Sequence, residues 1–417
     1  MKKKAIAKQP DSSTAIRIRM YRVGFGDCFL VSLPVAGEYK HVLVDCGVHA
    51  RGDIGTMDKI VANIANETSG KLALVIATHA HQDHISGFAK GKAVFSKFSE
   101  VGEVWLPWTE DPQDSEAAGL RKKRFALAAQ LQQHFALSLN ASPQAVAAVT
   151  NIAGNQVALQ FLHSGFDGKA KVRYLVAGDK IRKPPIPGMS VKVLGPPRDQ
   201  EFLSKMNPPA GQRYLQLGPS GQAEVGNALK PFSTRWILNR TDKSLDHLRL
   251  SHEDEKQLDR QLADPALEEL AFAIDQALNN TSVVSLLTFG GQALLFPGDA
   301  QYGNWNAWLQ QDGSDEILDS VRFYKVSHHG SFNATPKNAV QKMHAFAAMA
   351  STQNVPWASI PRLPLMNALA AQAKNNVVRS DSLAVKGANK APKGPVVSNL
   401  PQNFEKGEFW YDYFIPV

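Results

Sequence analysis

Cysteine is nearly absent from this chain of 417 residues, which has only Cys28 and Cys46. Two thiols cannot build a disulfide framework. Both sit in apolar, strand-like runs and read as buried thiols of a reducing compartment. Long hydrophobic runs are also missing: nothing approaches the roughly 18 apolar residues that suggest a bilayer span, so no membrane association is expected. The opening MKKKAIAKQPDSST is basic but has no apolar segment behind it. It is not a secretory signal, and the expected location is the cytoplasm. Aromatics make up 8% and none alternates with basic runs, which argues against a base-stacking platform and against sequence-specific nucleic-acid recognition. Charge excess is modest too. The formal charge is +8, but Lys2, Lys3, Lys4 and Lys8 supply half of it, so a pI near 9.3 gives mild support for a nucleic-acid partner.

Apolar residues are plentiful, at 44% against 20% charged, enough for a sizeable core. Residues 1–15 read as a basic disordered tail and 16–417 as one domain. IRIRMYRVGFGDCFLVSLP (16–34) alternates and then runs apolar, with Gly24 and Gly26 marking a bend. HVLVDCG (41–47), LALVIATH (72–79) and EVWLP (103–107) read as short buried strands, and MDKIVANIANE (57–67) as a helix. Two stretches of helical character, about 111–155 and 198–280, look like insertions into a strand-rich scaffold. Between them QVALQFLHSG, VRYLVAGD and SVKVLGPP read as strands. SVVSLLTFGGQALLFPGDA (282–300) reads as a hairpin turning at Gly290-Gly291. VRFYKVSHHGS (321–331) and EFWYDYFIPV (408–417) read as further strands, with a loop over 386–406.

The densest chemistry lies in LVIATHAHQDHISGF (74–88). An apolar strand delivers His79 to its C-terminal edge, and the next turn brings round His81, Asp83 and His84. Three imidazoles and a carboxylate without cysteine suit zinc, manganese or iron.

That H-x-H-x-D-H resembles the signature of the metallo-β-lactamase-fold hydrolases, which continues with a metal-bridging Asp and a last His at later strand ends. Asp299 follows ALLFPGD, and His328 and His329 follow FYKVS. VGFGDCFLV, VLVDCG, THAHQDHISG, NNTSVVSLLTFGGQALLFPGDA and KVSHHGS together are similar to one branch, the hydrolase module of the bacterial competence DNA-uptake channel and its stand-alone relatives. The resemblance implies an αββα sandwich of two mixed sheets with outer helices, an α/β fold here carrying two helical insertions. It implies one or two divalent ions, zinc or manganese. His79 and His81 would hold one ion, Asp83, His84 and one of His328 or His329 a second, and Asp299 would bridge. Adjacent side chains on an extended segment point to opposite faces, so only one of the last two histidines is expected to be a ligand and the other to face substrate. The family has a further histidine where this chain has Gly195, and His163 is the candidate replacement. Asp45 and Asp27 are expected behind the ligands, orienting imidazoles. Asn279, Asn280 and Ser282 are candidates for substrate oxygens. Gly178-Asp179 imitates the Asp299 motif but reads as a turn.

The implied reaction is hydrolysis by a metal-activated hydroxide that Asp83 orients. Three readings follow. The first is a phosphodiesterase or nuclease, with RKKR (121–124) available to phosphates. The second is a hydrolase of small lactones, thioesters, cyclic nucleotides or phosphorylated head groups. The third is a metal-stabilised interaction module that docks a protein partner through its helical insertions.

Overall fold

Ile16, Ile18 and Met20 point to one side of their strand and Tyr21 to the other, and this alternation repeats through the N-terminal half. It requires a sheet with an apolar layer on each face. The structure is a computed structural model that describes residues 14–51, 54–137, 141–212, 267–353, 360–381 and 400–417. The strands run β1 (Ala15–Tyr21), β2 (Gly24–Phe25), β3 (Cys28–Val35), β4 (Glu38–Cys46), β5 (Ala50–Arg51), β6 (Lys71–Ile76), β7 (Glu100–Pro107) and β8 (Lys171–Leu175). They continue as β9 (Ser190–Gly195), β10 (Val284–Phe289), β11 (Gln292–Phe296), β12 (Val321–Lys325), β13 (Ala347–Ala350), β14 (Val377–Arg379), β15 (Phe404–Lys406) and β16 (Trp410–Pro416).

Eight of these form one mixed sheet in the order β15-β16-β1-β3-β4-β6-β7-β8, and six form a second in the order β14-β13-β12-β11-β10-β9. Three apolar cores separate four layers. The central one joins the sheets through Phe29, Val31, Ile76, Leu294, Phe296 and Phe323. An outer core packs the opposite face of the first sheet against α1 (Met57–Thr68), α2 (Gln82–Lys90), α3 (Ser115–Leu137), α4 (Pro143–Ala153), α5 (Gln156–His163) and α6 (residues 267–279). The other packs the second sheet against α7 (Tyr302–Leu309), through Trp305 and Trp308, and α8 (Leu363–Gln372), through Leu365 and Leu369. This is the αββα sandwich.

In two stretches the element type differs from expectation. Phe404–Lys406, at the end of the expected 386–406 loop, is strand β15, paired antiparallel with β16. Gln156–His163 is a helix rather than a strand. Its buried residues Ala158, Leu159, Phe161 and Leu162 follow helical spacing, whereas Val157 between them and the helix start is 53% exposed. The pair α3 and α4 forms the first insertion. Of the second, a short helix over Gln200–Ser204 and α6 are described, while 213–266, including His247 and His252, lie outside the described residues, as do 1–13 and most of the 386–406 loop. Cys28 and Cys46 are free and buried, opposite one another across β3 and β4.

β4 and β6 run parallel, as do β11 and β12. Their C-terminal ends therefore share one edge of the sandwich, where Val283 N–H donates to the Thr78 carbonyl at 2.8 Å and stitches the sheets together. That edge receives Asp27, Asp45, His79, His81, Asp83, His84, Asp299, His328 and His329.

Candidate metal centre

Thr78 leaves the end of β6 and His79 follows it into the edge. His81 stands at the N-terminal boundary of α2, so Asp83 and His84 fall in that helix's first turn. Gly47 lets α2 approach this closely: a Cβ there would sit 2.4 Å from the Asp83 carbonyl carbon and the His84 nitrogen. From the second sheet, Pro297-Gly298 turns β11 into Asp299. The Asp299 amide donates to Ser282 Oγ at 3.1 Å.

The terminal histidines sit on a tight turn rather than an extended segment. His328, His329 and Gly330 all have positive φ, at 47°, 50° and 80°. Consecutive left-handed non-glycine residues are strained by roughly 1–3 kcal/mol each. The turn aims the two rings differently, and their centroids lie 6.3 Å apart. His329 Nε2 reaches Asp83 Oδ2 and Asp299 Oδ2, both at 3.2 Å, while its Nδ1 donates to the Ser351 carbonyl at 2.9 Å. His328 instead lies between Asn279 Nδ2 at 3.3 Å and Asn333 Oδ1 at 3.2 Å.

His84 Nε2 is 3.1 Å from Asp299 Oδ2 and 3.9 Å from Asp83 Oδ2. Donor atoms from Asp83, His84, Asp299 and His329 thus converge, each imidazole nitrogen lying 3.1–3.9 Å from both carboxylate oxygens. Tetrahedral ligands at about 2.0–2.2 Å from an ion stand roughly 3.3–3.6 Å apart, so this donor set fits a divalent cation. His84 Nε2, one of the four, is buried with no hydrogen-bond partner, a polar atom that a cation would satisfy. Beside it, His79 Nε2 and His81 Nδ1 face one another at 2.9 Å.

Asp27 is closer to the centre than expected. With His84, Asp299 and His329 it forms a buried group whose ligand atoms lie within 4.8 Å of one another. Its carboxylate nevertheless approaches both rings from their Nδ1 sides, at 3.7 Å, and is ion-paired to Lys325. We place it behind the ligands. Asp45 backs the site as well, with its Oδ2 2.8 Å from His84 Nδ1.

Charge tells the same story. Burial works against any ion here, yet Asp299, Asp45 and Asp83 raise the His84 imidazolium well above its ordinary range, and Asp299 and Asp27 lift His329 to about 10. Asp83 and Asp299 are held well below the usual carboxylate range, against burial, chiefly by His84 and His329. The pocket's field therefore favours positive charge at the point where the four donors meet. His79 and His81 behave oppositely: burial and neighbouring imidazoles keep both neutral, His81 down to about 3. Neutral imidazole is the ligating form.

The remaining candidates part company. Asn279 lines the cavity over the site. Asn280 does not: it is fully buried, its amide donates to the Leu203 and Lys205 carbonyls, and its oxygen accepts the Gln301 and Asn304 amides. Ser282 braces the Asp299 backbone. These two are scaffold because the turn from α6 into β10 directs them inward. His163 Nδ1 bonds Tyr174 OH at 2.8 Å, and its charged neighbours are Glu110, Arg121 and Asp111 rather than any residue of the centre. It is no replacement ligand. Gly195 ends β9 against α7, where an added Cβ would strike Asn304 Oδ1. Gly178-Asp179 forms a turn closed by Val176 N–H to Asp179 Oδ2. In RKKR, Arg121 donates to the Thr109 carbonyl and Arg124 pairs with Glu110, so half of that run is spent internally.

Sequence reading missed Lys325, Asp275 and Asn151. Each had a signal: a lysine inside the apolar strand FYKVS, an aspartate on the buried side of α6 near Ala271 and Leu278, and an asparagine among the apolar residues of α4.

Residues 21–136 match the family model described as the metallo-beta-lactamase superfamily. The fold is the metallo-β-lactamase fold. The matched stretch carries Asp27, Asp45, His79, His81, Asp83 and His84, and this metallo-β-lactamase sandwich brings Asp299 and His329 to them from beyond it. Among solved structures the chain is similar to the metallo-beta-lactamase fold protein YhfI from Bacillus subtilis, at 9% identity and a TM-score of 0.36, over 87% of this chain and 96% of that one. No curated protein matches it. No helix among the described residues is long and apolar enough to cross a membrane.

Proposed function

We propose that the protein is a metal-dependent hydrolase acting on phosphodiesters, with nucleic acid as the favoured substrate class. One observation carries the hydrolase reading: the convergence of Asp83, His84, Asp299 and His329 beside the His79–His81 pair on the floor of an open cavity. A divalent ion bound there would acidify a coordinated water and polarise a phosphoryl oxygen. The protein's own groups do the rest. Asp83 has one oxygen, Oδ1, free to orient a water, and His328, whose Nδ1–H donates to Asn333 Oδ1 while its Nε2 accepts from Asn279 Nδ2, stands at the cavity wall to position substrate. Arg362, stacked at 5.3 Å on Phe332, is the cationic arginine or lysine of the described lining and suits a substrate anion. The phosphodiester preference rests on the ordered motifs that resemble the competence-channel branch.

A second reading, a small-molecule hydrolase, draws on the size of the cavity, about 230 Å³, below the usual span of ligand pockets. Protein loaded with zinc or manganese, with Asp83→Ala as control, separates the two on single- and double-stranded DNA and RNA and on bis-p-nitrophenyl phosphate. Nucleic-acid cleavage abolished by the substitution supports the nuclease reading. Turnover of the small diester alone moves the assignment to small phosphodiesters, and no turnover by metal-bound protein refutes the phosphodiesterase assignment.

A further inference from the structure

The two helical insertions do more than cover the cavity. They meet where Glu268 of α6 accepts the Ser142 amide at 2.6 Å and the Ser142 hydroxyl at 2.9 Å, at the start of α4. From that junction they reach the H-x-H-x-D-H loop. Asn155 Nδ2 donates to the Ala80 carbonyl at 2.7 Å. Asn151 Oδ1 accepts the Asp83 amide at 3.4 Å, while Asn151 Nδ2 donates to Asp275 Oδ1 at 3.2 Å. The same Asp275 oxygen lies 3.2 Å from His81 Nε2, an ion-pair distance without hydrogen-bond alignment, so that buried nitrogen has no hydrogen-bond partner.

Hydrogen counting shows what this contact decides. Thr78 Oγ1 has one proton and gives it to Asp45 Oδ2 at 2.8 Å. Towards His79 Nδ1, 3.1 Å away, it must accept, so His79 carries its proton on Nδ1 and Nε2 is bare. That bare nitrogen faces His81 Nδ1 at 2.9 Å. His81 then has two options. With its proton on Nδ1 it makes a histidine–histidine hydrogen bond that closes the pair to an ion. With its proton on Nε2, facing Asp275, two lone pairs oppose one another, and a cation between them relieves the repulsion. Tetrahedral ligands stand roughly 3.3–3.6 Å apart, so the two nitrogens need separate by only about half an ångström to admit the ion.

We infer that Asp275, carried in by the second insertion and held by Asn151 of the first, is a positioning residue that selects the Nε2–H tautomer of His81 and so opens the His79–His81 subsite to a divalent ion. The inference rests on the metal-centre reading above. It gives the insertions a role in the chemistry of a subsite that has glycine where a third histidine is expected.

The test uses the full chain, Asp275→Ala and the near-isosteric Asp275→Asn, with folding checked by circular dichroism and thermal melting. Zinc equivalents and affinities are measured by competition with a chromogenic chelator, and the metal-free His81 tautomer by long-range 1H–15N spectra of histidine-labelled protein. Wild type should hold two equivalents with His81 protonated on Nε2. Asp275→Ala should keep one and bind the other roughly 10- to 100-fold more weakly, with His81 shifted towards Nδ1–H. Asp275→Asn, which retains an acceptor, should fall between. Two equivalents at wild-type affinity in Asp275→Ala, or an unchanged tautomer, overturns the inference while leaving the metal centre intact. Wild type that binds no zinc overturns the metal-centre reading itself.

Discussion

Asp45 Oδ2 stands 2.8 Å from His84 Nδ1, and the same carboxylate accepts the Thr78 amide at 2.7 Å and the Thr78 hydroxyl at 2.8 Å. One side chain at the end of β4 thus orients the imidazole that faces Asp299 and also pins the strand end that delivers His79. Asp45 does this at φ 54°, an unfavourable conformation that aspartate tolerates better than most residues.

Asp45→Ala should therefore loosen both metal subsites together. The expected result is a loss of roughly 10- to 100-fold in metal affinity, measured by chelator competition. Unchanged affinity would mean that His84 is held by packing alone.

Gly47→Ala tests the close approach of α2. An added methyl would stand 2.4–2.5 Å from the backbone of Asp83 and His84, and backbone cannot swing aside as a side chain can. A stability loss of about 1–3 kcal/mol with loss of bound metal is expected. A variant with wild-type melting temperature and metal content would show that α2 shifts without cost.

The left-handed turn at His328 and His329 separates binding from turnover. His329→Ala removes a donor that meets Asp83 and Asp299, so metal content should fall. His328→Ala leaves all four converging atoms in place, so metal content should hold while turnover drops by roughly 10²-fold as substrate loses a positioning contact at the cavity wall. Equal metal loss in both variants would contradict this division.

Much of this site was legible because its residues cluster in short motifs at strand ends, where an apolar run stopping at a polar cluster fixes the location. His79, His81, Asp83 and His84 needed only that reading. Choosing His329 over His328 needed a backbone conformation, because the alternation rule applies to extended chain and SHHG is a turn. Asp275 and Asn151 are separated from the motif by most of an insertion, so no local pattern links them to His81. Gln156–His163 misled because a short apolar run fits a buried strand and a buried helix alike.

The acid limb of stability should carry the signature of His41. Burial first, with Arg17 helping, lowers this imidazole from 6.5 to about 4; its Nδ1 contacts buried Ser32 Oγ at 3.0 Å. The native state keeps it neutral while the unfolded chain takes up a proton. Its contribution is complete above pH 6.5 and is lost as pH falls towards 4, by roughly 3 kcal/mol at most. Urea unfolding at pH 7 and pH 4.5 should show a smaller decline for His41→Phe than for wild type. Parallel declines would remove His41 from the account.

Lys325 poses two effects against one another. Its ammonium pairs with Asp27 and lies 3.0 Å from Asp299 Oδ1, all three groups being buried. Lys325→Met strands two carboxylates and should destabilise the metal-free protein by about 3–5 kcal/mol. It also frees Asp299 to reorient, which by itself would weaken metal binding by roughly 10- to 100-fold, or about 1–3 kcal/mol. Against that, it removes a positive charge that repels the ion. The 3.0 Å contact and a ligand bond of about 2 Å put that charge on the order of 5 Å from the ion, which at an effective dielectric near 20 is worth roughly 6 kcal/mol for a divalent cation. Repulsion outweighs the loss of orientation. The variant should therefore bind metal more tightly than wild type, and zinc should raise its melting temperature by more than it raises wild type's. A smaller zinc-induced rise would show that Lys325 serves the centre chiefly by holding Asp299 in place.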